Sequence, residues 1–174
     1  MDQVDAEYLG MPLRIQEIDS ENQEYFQYCE KNDFRLQHCA SCDLVRYPPS
    51  TGCPWCGSFE SEWKSVEGKG TVHSYSEVCH AIQPAFQEHV PYLVLLVDLD
   101  TQKGHPTEGE ALRVMGSLVA PDCVLASPEV AKTVGIGTRV RMVFKDVAKK
   151  MAIPLWTIDE EADQPEAPWR YPEK

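Results

Sequence analysis

The sequence predicts a mainly β protein in which an N-terminal helix and a small cysteine-rich ribbon precede a five-stranded β-barrel. Two Cys-x-x-Cys pairs lie close together in the first third of the chain. Five segments rich in β-branched and aromatic residues follow them, and one short helical pattern separates the third segment from the fourth. These observations divide the chain into an arm and helix over 1–35, a ribbon over 36–65, a barrel over 66–158 and an acidic tail over 159–174.

Composition and charge limit the class of function. The 174 residues are 43% apolar and 25% charged, as in ordinary globular proteins, and the net charge is −12. The acidity is concentrated at the two ends of the chain, because the barrel segment is close to neutral. No stretch approaches the roughly 20 apolar residues of a membrane helix, so we expect no membrane partner. The acidic start, Met1 to Glu7, has no apolar core and is not a secretory signal, which predicts a cytoplasmic protein.

The N-terminal segment predicts one helix after an irregular arm. Residues 1–19 have no clean period, which indicates an extended or loosely ordered arm. A helix is predicted from about Ser20 to Asn32, with Tyr25, Phe26 and Cys29 on its apolar side. Tyr25 and Phe26 are adjacent, so one narrow stripe does not easily bury both rings. We therefore predict that one of them contacts a partner protein and keep both as candidates; the alternative is that both pack on the ribbon.

The cysteine pairs predict a metal site. Cys39 and Cys42 form one pair, and Cys53 and Cys56 form the other. A ribbon of this size cannot bury enough apolar area to fold alone, and two such knuckles place four sulfurs tetrahedrally around one metal ion. Because protein ligands fill all four positions, we expect a structural metal, and zinc is the prediction. Iron in a rubredoxin-like electron carrier is the alternative, since it uses the same ligands.

The barrel prediction follows from the order of its elements. The predicted strands are 71–78, 91–99, 111–119, 138–144 and 152–158. A short helix is expected after the third strand, where Ser127 is a capping residue, Pro128 suits the first helical position and Gly135 ends the pattern. Three strands, a helix and two strands is the order of an OB-fold barrel, although other helix-poor barrels share it. Pro154 in the last strand indicates an edge or a bulge.

The sequence carries no pattern of an independent enzyme. It lacks a Ser/His/Asp order, a Gly-rich nucleotide loop and an HExxH motif. Three scattered cysteines, Cys29, Cys79 and Cys123, are expected to pack as small hydrophobic residues. We therefore assign no catalytic residue and expect no activity from the chain on its own.

Taken together, the motifs resemble one family. The helix is followed by two knuckles with Pro48 and Pro49 between them, and Gly68-Lys69-Gly70 opens the first barrel strand. This arrangement over roughly 20–158 resembles the family that joins a rubredoxin-like zinc ribbon to an acyl-CoA-associated OB-fold. Two positions depart from it: many members have Gly after the first knuckle and Arg after the Pro-Pro, where this chain has Asp43 and Ser50. The ligands are intact, so the metal should be retained, but no role of that arginine is carried over.

The resemblance implies an accessory function. Family members sit beside thiolase-like enzymes, so we expect a hetero-oligomer in which this chain binds a thiolase-fold subunit and helps to hold a CoA thioester. The family's settings are thiolase–synthase complexes, polyketide-type acyltransferases and aldolases that shorten steroid side chains. Basic groups on and after the fourth strand would suit the phosphates of CoA; the alternative is a solvated turn. These CoA candidates are Arg139, Arg141, Lys145, Lys149 and Lys150.

A nucleic-acid function is the alternative from a different class. OB barrels and zinc ribbons both occur in proteins that bind single-stranded nucleic acid, where a basic groove carries exposed aromatic residues. A near-neutral barrel between two acidic ends argues against that class, so we expect no nucleic-acid partner.

Overall fold

The computed structural model describes residues 5–14 and 20–171. The chain folds into two compact units. The ribbon unit contains the chain up to Glu67 together with Thr101–Leu112 and Phe144–Pro154, and the barrel unit contains Gly68–Asp100, Arg113–Val143 and the chain from Leu155 onward. Among the described residues, no helix is both long enough and apolar enough to cross a membrane.

The elements confirm the mainly β prediction. In chain order they are β1 Asp5–Tyr8, β2 Met11–Arg14, α1 Ser20–Glu30, β3 Arg35–Cys39, β4 Val45–Arg46, β5 Ser61–Ser65, β6 Lys69–Val78, β7 Tyr92–Leu99, β8 Arg113–Ser117, α2 Pro128–Thr133, β9 Arg139–Ala148 and β10 Met151–Ile158. Short 3₁₀ turns cover Pro84–His89 and Glu108–Glu110.

The N-terminal arm contains a hairpin that the sequence did not predict. β1 and β2 pair antiparallel, and Leu9 and Gly10 turn the chain with φ angles of 52° and 78°. Two residues with positive φ between paired strands are typical of a two-residue hairpin turn. Leucine rarely adopts that conformation, so the turn has no recognisable sequence signal. The remaining parts of the predicted arm, residues 1–4 and 15–19, lie outside the described residues.

The ribbon unit is a three-stranded antiparallel sheet next to α1. The strand order is β4-β3-β5, with β3 in the middle. α1 ends at Glu30, two residues before its predicted end, and Asn32 adopts a left-handed conformation with φ 53°. The backbone N–H of Asp33 then donates to the carbonyl of Tyr28 at 3.1 Å. This bond satisfies one of the last carbonyls of the helix, and the chain then turns into β3.

The barrel unit has the predicted OB topology. The sheet order is β10-β9-β6-β7-β8, with α2 between β8 and β9 in the chain. β7 alternates in burial, with Leu93, Leu95, Val97 and Leu99 all inside the barrel. The two edges meet where Leu118 bridges Trp156, whose carbonyl accepts the N–H of Val119 at 2.8 Å. The barrel is therefore closed, and Pro154 lies in the edge strand β10, as its sequence predicted.

Two glycines allow β6 to approach its neighbours closely. A Cβ atom on Gly70 would lie 2.3 Å from the carbonyl oxygen of Asp98 in β7. A Cβ atom on Gly68, just before the strand, would lie 2.8 Å from Cβ of Met142 in β9. Neither contact is sterically possible, so the Gly-x-Gly sequence at the start of the first barrel strand is required by packing.

The acidic tail forms a strap along the barrel unit. We call Asp159–Tyr171 the C-terminal strap. Its first residue donates from its backbone N–H to the carbonyl of Arg139 at 3.1 Å. The backbone N–H of Arg139 donates to Oε1 of Gln164 at 2.9 Å, and Nε2 of Gln164 donates to the carbonyl of Arg139 at 3.0 Å. Near its end, Trp169 exchanges two backbone hydrogen bonds with Ile136. The strap is thus tied to the barrel at both ends.

Candidate metal centre

The two knuckles have the same backbone geometry. Cys39 ends β3, and its carbonyl accepts the N–H of Asp43 at 3.1 Å. In the loop between β4 and β5, the carbonyl of Cys53 accepts the N–H of Gly57 at 2.9 Å. The residue after each knuckle has a positive φ, 61° at Asp43 and 75° at Gly57. Glycine adopts this conformation freely, and aspartate is among the few other residues that tolerate it.

The structure brings the four predicted ligands together. Sγ of Cys39 lies 3.6 Å from Sγ of Cys56, and Sγ of Cys42 lies 3.6 Å from Sγ of Cys53. All four sulfurs lie within 4.8 Å of one another. A tetrahedral site with metal–sulfur distances of about 2.3 Å has sulfur–sulfur edges of roughly 3.8 Å. The cluster therefore has the size of a site for one tetrahedrally coordinated metal ion.

The backbone of the first knuckle favours thiolates. The N–H of Cys42, and then that of Ser41, donate to the sulfur of Cys39 and lower the pKa of that thiol to about 6. At Cys42 the N–H of Leu44 acts in the same direction, but burial and the neighbouring thiols outweigh it and raise the pKa to about 12. Four thiols at these distances cannot all ionise without a cation between them. A divalent metal ion supplies that charge, so the donor set fits a metal.

Asp43 also makes a contact that glycine lacks. Nε2 of His38 lies 2.6 Å from Oδ1 of Asp43, and Nδ1 lies 3.6 Å from Oε1 of Glu62. His38 precedes Cys39 in β3 and is buried, so these two carboxylates flank a ring next to the metal ligand. The residue that departs from the family's glycine is thus used in local packing.

A buried arginine holds the ribbon together, and sequence reasoning missed it. Arg46 in β4 donates to Oε1 of Gln37 in β3 at 2.9 Å and to Oγ of Ser61 in β5 at 3.1 Å. It also donates to the carbonyl of Ser50, in the loop that leads to the second knuckle, at 2.8 Å. One guanidinium therefore links all three strands and the loop. No local pattern reveals such a residue, because its partners are scattered along the chain.

The structure corrects one of the two predicted partner contacts, Tyr25. Its side chain is only 2% exposed, and its ring lies 6.1 Å from that of Phe34 and 5.9 Å from that of Tyr47. Aromatic rings at these distances pack favourably, and burial makes Tyr25 part of the core of the ribbon unit rather than a contact surface. Phe26 is half-buried, so the prediction of a partner contact continues to apply to Phe26 alone.

The five predicted CoA candidates divide into different environments. Arg139 pairs with the carboxylate of Asp100 through both guanidinium nitrogens and with Oγ1 of Thr71 at 2.8 Å, so its charge is engaged within the barrel unit. Lys149 and Lys150 lie at the turn between β9 and β10, in the ribbon unit. There they line a groove of about 420 Å³ together with Gln27, Glu30 and Lys31 of α1. Arg141 and Lys145 are half-buried on β9 and are not among the residues that line this groove.

A second surface feature is apolar and lies on the barrel unit. Val94 and Leu96 of β7 and Met115 of β8 line a shallow groove of about 140 Å³, with Ser74 and Ser76 of β6 beside them. Met115 is 62% exposed. We call this surface the barrel face. Its strip of apolar side chains is a feature typical of interaction sites.

The ribbon and the barrel together define a protein that joins a zinc ribbon to an OB-fold. Comparison with known families confirms this class. A family described as the rubredoxin-like zinc ribbon domain of ChsH2 matches residues 26–62. A second, described as the C-terminal OB-fold domain of ChsH2, matches residues 63–145. The chain belongs to this family of ChsH2-type zinc ribbon and OB-fold proteins. The C-terminal strap lies beyond both matched regions.

Two known proteins are similar to this chain. A chain of the solved structure "Ltp2-ChsH2(DUF35) aldolase" is 28% identical, with a TM-score of 0.62, and the match covers 83% of this chain and 98% of that one. A "Probable enoyl-CoA hydratase alpha subunit" of Thermomonospora curvata is 38% identical over 107 residues. That match covers 60% of this chain but only 30% of the hydratase subunit, so the chain spans less than a third of that relative.

Proposed function

We propose that this chain is a non-catalytic accessory subunit of a thiolase-like acyl-CoA enzyme, which it binds and whose CoA thioester it helps to hold. The likeness to nearly all of one chain of the Ltp2–ChsH2(DUF35) aldolase carries the proposal. It favours a carbon–carbon lyase of the aldolase type over an acyltransferase, and the family resemblance adds steroid side chains as a candidate substrate class. The relative named as a hydratase subunit supports an acyl-CoA setting.

The proposed metal is zinc, and its role is structural. Cys39, Cys42, Cys53 and Cys56 supply four thiolates, which leaves no coordination position for substrate or water. The ion stabilises a ribbon that has little apolar core of its own. Elemental analysis should find about one zinc per chain. A red protein that bleaches on reduction would instead identify iron and an electron carrier.

The barrel face supports the binding of a partner. Val94, Leu96 and Met115 form its apolar strip, and a partner that covers them removes apolar area from water. Size-exclusion chromatography with light scattering tests the complex directly. The chain should co-elute with a co-expressed thiolase-like aldolase subunit of the same host, at a mass that includes both. Separate elution of two folded proteins would overturn the proposal.

The lysine groove of the ribbon unit is the proposed contact for CoA. Lys31, Lys149 and Lys150 place three ammonium groups around it, against the one carboxylate of Glu30. The phosphates of CoA suit such a site because ammonium groups form charge-assisted hydrogen bonds to phosphate. This groove retains two of the five sequence candidates and adds Lys31, which the sequence analysis did not select.

Calorimetric titration of CoA into the complex tests the groove. The Lys149→Ala/Lys150→Ala variant should bind CoA about tenfold more weakly, a loss of roughly 1.4 kcal/mol. A matched control, Lys103→Ala/Lys132→Ala, removes two exposed lysines elsewhere and should bind as the wild type does. Equal CoA affinities for all three proteins would show that the groove takes no part.

The structure offers no support for the nucleic-acid alternative. Two arginines of the barrel unit are engaged by carboxylates, Arg139 by Asp100 and Arg113 by Asp98 at 2.7 Å. Besides its serine and aliphatic side chains the barrel face carries one aromatic residue, Tyr75, whose ring is covered by the Arg170 guanidinium at 5.0 Å, whereas single strands are bound by several exposed stacking residues.

A further inference from the structure

The end of the C-terminal strap alternates like a strand. Trp169 is 56% exposed and Tyr171 is 69% exposed, while Arg170 between them is half-buried. In an extended segment successive side chains point to opposite sides. The guanidinium therefore faces the barrel unit, and the two aromatic side chains face outward.

Arg170 anchors the strap through several contacts. Nη1 donates to the carbonyl of Ala131 at 2.8 Å and also to the carbonyl of Val134, both at the end of α2. Nη2 lies 3.4 Å from a carboxylate oxygen of Glu77, and the guanidinium carbon lies 5.0 Å from the ring centre of Tyr75. Cations are favourable at the C-terminal carbonyls of a helix and over an aromatic ring. These contacts fix the inward side of the strap.

The backbone on either side of Arg170 is fixed as well. Ile136 and Trp169 exchange two hydrogen bonds, at 2.9 and 3.0 Å. The N–H of Tyr171 donates to the hydroxyl of Tyr75 at 2.8 Å. Because these bonds fix the backbone, little backbone conformational entropy is left to lose when a partner binds the two aromatic side chains. Tryptophan and tyrosine are the residue types most enriched at the energetic centres of protein interfaces.

The charge around this aromatic pair indicates which kind of partner protein would bind it. Four acidic residues of the strap are exposed, Glu160, Glu161, Asp163 and Glu166. A second copy of this chain would bring a second set of the same charges, and the chain already carries a net charge of −12. Like charges across an interface are unfavourable, whereas a rim of lysine or arginine would be attracted. The surface therefore fits a different protein, one with an apolar pocket and a basic rim.

We propose that Trp169 and Tyr171, together with the half-exposed Ile136, anchor the thiolase-like subunit through an apolar pocket rimmed by basic residues. This inference rests on the proposed function and extends it to a strap outside the matched family domains. Tyr75, which the strap contacts, also lines the barrel face, so the aromatic pair continues that docking surface.

Biolayer interferometry with the thiolase-like aldolase subunit of the same host tests the inference. Trp169→Ala/Tyr171→Ala, which leaves the anchoring Arg170 in place, should weaken binding at least tenfold. The control Phe59→Ala/Ile82→Ala removes two other highly exposed apolar side chains and should stay within twofold of wild type. A variant with Glu160→Gln, Glu161→Gln, Asp163→Asn and Glu166→Gln should bind more slowly, with a weaker dependence on salt.

The outcomes separate this inference from the proposed function. Wild-type binding that the aromatic variant and the four-site charge variant leave unchanged would overturn the role of the strap and leave the proposed function standing. No binding by the wild type would overturn both. Sedimentation of the chain alone gives a further outcome, because a dimer that dissociates in the aromatic variant would assign the surface to a second copy and overturn the inference. Matching thermal unfolding curves establish that the variants are folded.

Discussion

Asp43 occupies the position in the first knuckle where the backbone turns left-handed. Its φ of 61° matches the 75° of Gly57 in the second knuckle. The equivalence explains why the family resemblance leads us to expect glycine there, and the contact with His38 shows what the carboxylate adds. The backbone of the knuckle therefore accepts glycine or aspartate, whereas a residue such as alanine would be strained there.

A pair of substitutions measures that strain. Asp43→Gly and Asp43→Ala both remove the carboxylate and differ only in Cβ, so the glycine variant should be more stable by about 1 kcal/mol. Urea denaturation of the zinc-loaded protein provides the measurement. Asp146, exposed in β9 and without a positive φ, is the matched control: there alanine should be more stable than glycine. The same order at both positions would contradict the strain.

Cys29 is a buried thiol whose ionisation opposes folding. Burial raises the pKa of the Cys29 thiol to about 12, against about 8.5 for an unfolded cysteine. A raised pKa in the folded state means that stability is complete below about pH 8.5 and is lost as the pH rises toward 12. Between pH 9 and 10 the wild type should lose roughly 1 kcal/mol more than Cys29→Ala. Identical pH profiles in urea denaturation would show that Cys29 is not buried in solution.

The cluster of four cysteines was predictable from the sequence, and the arginine of the ribbon was not. Two Cys-x-x-Cys pairs encode their own geometry, because each knuckle is a local turn. Arg46 acts through Gln37, Ser50 and Ser61, which meet only after three strands have paired. Tyr25 failed as a partner contact for the same reason, since Phe34 and Tyr47 come from other elements to cover it.

At the scale of elements, the barrel was predictable because its pattern is local. β7 alternates in burial along its whole length, β6 and β9 alternate over their first four residues, and Ser127 and Pro128 mark the start of α2. The strap contacts were not predictable, because they join Gln164, Trp169 and Arg170 to residues distant in the sequence. The hairpin of β1 and β2 was missed because its turn uses Leu9, which gives no turn signal.

The backbone of the strap packs closely against Gly135 of the barrel unit. A Cβ atom there would lie 2.3 Å from the carbonyl oxygen of Trp169. Gly135→Ala should therefore displace the strap, cost about 1–3 kcal/mol in the free energy of unfolding, and increase hydrogen exchange at the amides of Ile136 and Trp169. Gly109→Ala, whose Cβ would meet its nearest atom at 3.8 Å, is the control. Unchanged exchange at both amides would show that the strap does not pack there.

At the scale of the whole molecule, the two units carry different parts of the proposed function. The ribbon unit holds the metal ligands and the lysine groove. The barrel unit holds the barrel face and the strap. Under the proposed function, the nucleophile and base of the acyl-CoA lyase belong to the partner subunit. The partner is the part of the function that only comparison with relatives indicates, because no single-chain pattern encodes another protein.

Steady-state cleavage of an acyl-CoA substrate tests the central claim most directly. The chain alone should give no turnover, and the thiolase-like subunit should turn over the substrate only, or far faster, when the chain is added. In that complex Lys149→Ala/Lys150→Ala should raise KM about tenfold while kcat stays within twofold, because the groove binds CoA without joining the reaction. Turnover by the chain alone, or a thiolase-like subunit equally active with and without it, would contradict the accessory role.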